Sequence, residues 1–123
     1  MADKRAVFTE NFSTNLTEIK TFLGEEGRQF FLRFFDRLAE DIVPMLCQFP
    51  QSGRSFLDRS IRSTQGLQLV DRLKEHLIEG DDLRELIVDD YLILYVARGN
   101  RIVFLSIKHH RQVSFDLKRF WQK

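Results

Sequence analysis

Apolar residues recur at helical spacing in the first half of the chain and at alternating positions in the second. Phe12, Leu16, Ile19 and Leu23 step by four, three and four, which is one stripe of an amphipathic helix ending near Gly24 or Gly27. Phe31, Phe34, Phe35, Leu38, Ile42 and Met45 form a second stripe, closed by Phe49-Pro50, with Pro44 bending the last turn. A short glycine-containing link between two such stripes predicts an antiparallel helical hairpin. Ala6 to Thr9, ahead of it, is β-prone. Residues 50–63, PQSGRSFLDRSIRS, read as a loop with Gly53 at a turn, and Leu69, Val70, Leu73 and Leu77 predict a third short helix stopped at Gly80.

Beyond Gly80 the period changes to two. LRELIVDDY, YLILYVARG and RIVFLSIKHH are strand-forming runs separated by Asp89-Asp90 and Gly99-Asn100, and Gly-Asn over two residues signals a tight hairpin. The order β-α-α-(α)-β-β-β predicts an α+β fold in which the helical hairpin covers one face of a small, mostly antiparallel curled sheet. In the last strand Val103, Leu105, Ile107, His109 and Arg111 share one face, the more apolar one, which should lie under the helices. Ile102, Phe104, Ser106, Lys108 and His110 should then point to the open face. A bulge after Ile107 would re-aim both histidines.

A length of 123 residues predicts one domain spanning 1–123, able to bury roughly two-thirds of its unfolded surface. Hydrophobic content of 43% and charged content of 30% are globular values that argue against disorder. Cys47 is alone, so no internal disulfide forms. The opening MADKRAVFTENF lacks the apolar core of a signal peptide, and no apolar run approaches the roughly 20 residues of a membrane span. A cytoplasmic protein without membrane contact is expected. The net charge of +1 conceals an asymmetry: residues 98–123 carry +6, while residues 1–97 carry −5. A basic end on an acidic body suggests an anionic partner, with solubility alone as the bland alternative.

The chemistry gathers where the last strand runs out, at Lys108, His109, His110 and Arg111. Cleaving RNA through its 2′-hydroxyl needs a base, an acid and cations, and imidazoles serve the first two roles near neutral pH. Adjacent strand residues face opposite ways, however, so His109 and His110 do not easily flank one phosphate without a bulge or help from Arg98. Binding asks less: Lys108, Arg111, Lys118 and Arg119 need only present charge, with Arg98 and Arg101 in support. The plain structural readings are a partly buried His109, an outward His110, a solvated Arg54 in a turn, and Tyr91 and Tyr95 packed with their hydroxyls hydrogen-bonded. The Asp81-Asp82 and Asp89-Asp90 pairs read as turn chemistry. Neither they nor Cys47 with the histidines shows metal-ligand spacing, so no metal and no cofactor is expected.

The run of motifs resembles the RelE/ParE superfamily, the toxins of bacterial type II toxin–antitoxin pairs. The resemblance rests on Pro50, Gly53 and Arg54 in a Pro-x-x-Gly-Arg loop, and on Arg84 leading a strand. It extends to Asp90, Tyr91 and Tyr95 on the next strand, and to a closing His109-His110-Arg111-Gln112. It implies a groove filled by a cognate antitoxin, with Leu94, Tyr95 and Phe115 as contacts. It also implies one of two targets: DNA gyrase, inhibited without nuclease chemistry, or messenger RNA cut on the ribosome. Of the RNA-cleaving positions the resemblance carries over, one arginine falls at Leu92 and the tyrosine near Asp116. The gyrase-directed branch, associated with plasmid stabilisation and growth inhibition, is therefore favoured. The alternatives are a metal-independent endoribonuclease using His110 and Arg111 as catalytic groups, or a non-toxic binding adaptor.

Overall fold

The computed structural model describes residues 3–55 and 77–109. Strand β1 (Arg5–Phe8) leads directly into helix α1 (Glu10–Leu23). Thr9 caps that helix, its hydroxyl oxygen accepting from the Phe12 N–H at 3.1 Å. Gly24 ends α1, and α2 (Arg28–Arg37) returns antiparallel after a short connection, giving the expected hairpin. The second stripe then continues through a π-helical turn (Leu38–Ile42) into α3 (Val43–Gln48).

That π turn has a physical cause. Pro44 has no N–H for the helix, and its ring crowds the carbonyl four residues earlier. The chain responds by bonding the Val43 N–H to the Leu38 carbonyl instead. The wider turn also keeps Phe34, Leu38, Ile42 and Leu46 on the buried side. Repeated steps of four overshoot a helical turn by about 40° each, and the extra turn width absorbs the drift. Phe35, expected in this stripe, is instead 44% exposed.

The loop expected from residue 50 is more ordered in its described part. A 3₁₀ turn (Pro50–Ser52) precedes a two-residue strand β2 (Arg54–Ser55). The predicted third helix falls largely on residues 56–76, outside the described residues. Strands β3 (Asp82–Val88), β4 (Tyr91–Arg98) and β5 (Arg101–His109) form the expected meander. Gly99 has φ +56°, the positive value that a two-residue hairpin turn demands at its first position. Among the described residues the sheet order is β1-β5-β4-β3-β2, antiparallel throughout except for the parallel β1–β5 pair. This is an α+β architecture.

Facing assignments on β5 need one correction. The register pairs Leu94 with Ser106 but Tyr95 with Phe104, so Leu105 is an extra residue, a β-bulge. Before the bulge, Ile102 and Phe104 are fully buried beneath the helices, while Val103 and Leu105 pack on the opposite face. The alternation predicted the reverse for these four. After the bulge the phase flips, and Ile107 and His109 turn to the helix side as expected. The opposite face is not bare either: Leu83 and Val96 are buried there, with Leu77, Leu94, Val103 and Leu105 packed around them.

Past the short β1, the outer edge of β5 is closed by side chains of the α1 region. Thr9 donates its N–H and hydroxyl to the Phe104 carbonyl at 3.1 and 2.9 Å. The Asn11 amide donates to the Leu105 carbonyl at 2.9 Å, and the buried Asn15 carbonyl oxygen accepts the Ile107 N–H at 3.2 Å. No helix among the described residues is long and apolar enough to cross a membrane.

Candidate interaction site

Three groups of charged and aromatic residues stand out, and they occupy different parts of the sheet. At the end of β5, His109 is buried between aromatic rings. Tyr91 meets it edge-on with centroids 5.0 Å apart, Phe22 lies 6.1 Å away, and Tyr91 is itself stacked on Phe34 at 3.6 Å. Burial among these rings, with Asp90 and Asp89 nearby, pushes the Tyr91 phenol above its ordinary value. A cleft of about 740 Å³ reaches His109 from the helix side, past an exposed Phe30 and the Arg37–Asp89 ion pair. Lys108 alternates with His109 along the strand, and its ammonium lies 3.5 Å from Glu18 on α1. His110, Arg111, Phe115, Lys118 and Arg119 lie outside the described residues.

The second group consists of the loop-motif residues, which form one connected network. The Tyr95 hydroxyl donates to the Pro50 carbonyl at 2.7 Å and accepts the Gly53 N–H at 2.9 Å, clasping both ends of the 3₁₀ turn. Arg84 donates to the Gly53 carbonyl at 2.7 Å while Asp82 holds its Nε at 2.7 Å. Gly53 has no space for a side chain: a Cβ there would lie 2.6 Å from both the Glu85 carbonyl oxygen and the Tyr95 hydroxyl. Arg54, read from sequence as solvated, instead bonds Glu85 through Nε at 3.0 Å and Nη2 at 2.7 Å. The Glu85 side chain is 1% exposed and that of Arg54 61%. Tyr95 is completely buried, and desolvation raises its phenol pKa. It offers no surface to a partner, whereas Leu94 remains half-buried on the face away from the helices.

A third group sits at the β4–β5 turn, at the opposite end of β5 from His109. Counting ~3.3 Å per strand residue, it is roughly 20 Å from Lys108. The register places Arg5, Arg101 and Arg98 side by side on three adjacent strands. Arg98 grips the buried Asp81 with a two-pronged contact, Nε to Oδ1 at 2.9 Å and Nη2 to Oδ2 at 2.7 Å. The hydrogen bonds from Arg98 hold the Asp81 carboxyl below its usual range. Arg5 and Arg101 are exposed. Arg5 was not among the residues singled out from sequence; only the parallel pairing of the first strand with the last brings it here.

The described cations therefore do not converge on one patch: Lys108, Arg54 and Arg98 each have a carboxylate partner in separate places. Of the two histidines at the end of β5, the one described, His109, packs into the core. Among the described residues no cluster of His, Cys, Asp and Glu could hold a metal ion.

Comparison with known proteins adds family information. A family model described as the ParE toxin of the type II toxin–antitoxin system, parDE, matches residues 6–114. Among solved structures, the archaeal RelE–RelB complex from Pyrococcus horikoshii OT3 aligns over 89% of this chain and 97% of that chain, with 18% identity and a TM-score of 0.40. No curated protein matches the chain.

Proposed function

The chain belongs to the ParE toxin family of type II toxin–antitoxin systems, and from that premise we propose that it arrests growth by acting on DNA gyrase until a cognate antitoxin neutralises it. The observation favouring this over RNA cleavage is the state of His109. Self-cleavage of RNA needs a base and an acid on either side of one phosphate. An imidazole packed against Tyr91 and Phe22 on the helix side is turned away from Lys108. Adjacent strand positions face opposite ways, so His109 and Lys108 leave the strand on opposite faces rather than flanking one phosphate.

Lys108, His110 and Arg111 are the proposed target contacts, and Leu94 with Phe115 the proposed antitoxin contacts. Lys108 suits the role because its contact with Glu18 is long and half-exposed at both ends, and such a pair contributes at most about 1 kcal/mol. A target can displace it at little cost.

Expression in a bacterium should stop growth, and co-expression of the protein from the neighbouring reading frame should restore it. The purified chain should inhibit supercoiling by gyrase and leave ribosome-bound messenger RNA intact. Cleavage of that RNA, abolished in His110→Ala or Arg111→Ala, would replace this reading with the endoribonuclease one.

A further inference from the structure

We infer that the Arg5–Arg101–Arg98 row is a phosphate-binding site for the backbone of a nucleic acid. The three positions are consecutive across β1, β5 and β4, in register. Adjacent strands lie ~4.8 Å apart, so the three backbone positions share a span of roughly 10 Å. All three side chains fall on the face away from the helices, in line with Val103 and Val96 one step further along the strands.

Like charges directly opposite one another on neighbouring strands destabilise a sheet. Only one of the three is compensated: Asp81 is taken by Arg98. Arg5 and Arg101 have no ion pair among the described residues. The acid nearest Arg5 in sequence, Asp3, makes no ion pair with it. Lys4 adds a further cation at this end, its ammonium bonded to the Gly99 carbonyl in the β4–β5 turn. The Arg5–Arg101 pair is thus a like-charge cost to the fold that no described carboxylate offsets, of the kind an anionic ligand would relieve.

Two features select phosphates over an acidic protein surface. Its two exposed members, Arg5 and Arg101, are arginines, whose planar fork matches two phosphate oxygens at once. A protein interface also needs an apolar centre, and among the described residues Leu83 and Val96, the buried apolar side chains of this face, are 2% and 1% exposed. Backbone contact of this kind is independent of base sequence. It is also independent of the toxin reading, because it requires neither gyrase nor an antitoxin.

The test is fluorescence anisotropy of the purified chain with a labelled single-stranded DNA oligonucleotide of mixed sequence, titrated at salt from 50 to 200 mM. Two phosphate contacts contribute about −1.4 to the log–log salt slope on single strands. The double variant Arg5→Gln/Arg101→Gln should lose that much slope and bind roughly 10-fold or more weakly at 50 mM, while its thermal midpoint stays level or rises as repulsion is relieved. The control Arg28→Gln/Arg33→Gln, which removes the same charge from α2, should leave the slope unchanged. Unchanged binding in the first variant, an equal loss in the control, a lowered midpoint, or equally tight binding of poly-glutamate would each overturn the assignment.

Discussion

The Tyr95 hydroxyl gives its proton to one carbonyl and takes an N–H from another backbone group, wholly inside the protein. Tyr95→Phe leaves the Gly53 N–H without its acceptor, and such an orphaned group costs about 1–3 kcal/mol. Gly53→Ala should cost at least as much, because the new methyl meets a carbonyl oxygen and the same hydroxyl at 2.6 Å. Urea unfolding of both variants checks this; a loss under about 0.5 kcal/mol in either would mean the turn is not anchored as described. Asp81 carries a pH signature. Its carboxyl is held below the ordinary value by Arg98, so the stabilisation is complete above the unfolded pKa of ~3.9 and disappears as pH falls through the folded one. Wild type should therefore lose stability more steeply than Asp81→Asn below about pH 4, and parallel curves would refute the linkage. None of these partners was readable from sequence. Glu85 on a strand suggests a cross-strand ion pair, but its partner, Arg54, lies 31 residues earlier in the chain.

The alternation and turn chemistry of the chain anticipated β3, β4 and β5 with their hairpins, because each signal is local. Helices α1 and α2 were anticipated for the same reason. Bulge and π turn escaped, since each arises from a demand elsewhere. Leu105 is extruded where β1 stops pairing and α1 begins, and the sequence there reads as unbroken alternation. For the π turn a hint existed, in three apolar positions spaced by four ahead of Pro44 and a fourth, Leu46, just beyond it. The bulge has its own test. Asn15 is 4% exposed and accepts the Ile107 N–H, which has left the reach of β1. Asn15→Leu should destabilise the fold by about 1–3 kcal/mol and speed hydrogen exchange at Ile107 more than at Ile93 in the sheet centre. Uniform exchange at the two amides would show that the contact is incidental.

Over the whole molecule, the division between an acidic body and a basic end was visible in composition, but its spatial meaning was not. The described basic residues of the end do not pool. Arg98 and Arg101 stand at one end of β5 and Lys108 at the other, because a nine-residue strand separates them. The row that does form draws on Arg5 from the acidic half, through a parallel pairing between the chain's first strand and its last. That contact joins residues nearly a hundred positions apart, which no window on the sequence can reveal. For the candidate site, the sequence singles out His109 and Tyr91 in separate motifs, and the register of β4 and β5 brings them together. Only the fold shows the ring of Phe22, Phe34 and Tyr91 that turns the imidazole inward. It is this inward turn that tilts the functional reading away from chemistry on RNA.

The amides and hydroxyl that α1 and its cap lend to β5 bear on what happens when such a protein stands alone. Bare strand margins recruit further chains and seed clumping. Here Thr9, Asn11 and Asn15 occupy the margin of β5 at the bulge, and the margin at β1 on the same side is four residues long and begins with a charged arginine. On that side of the sheet a second chain would thus find few free backbone groups with which to pair.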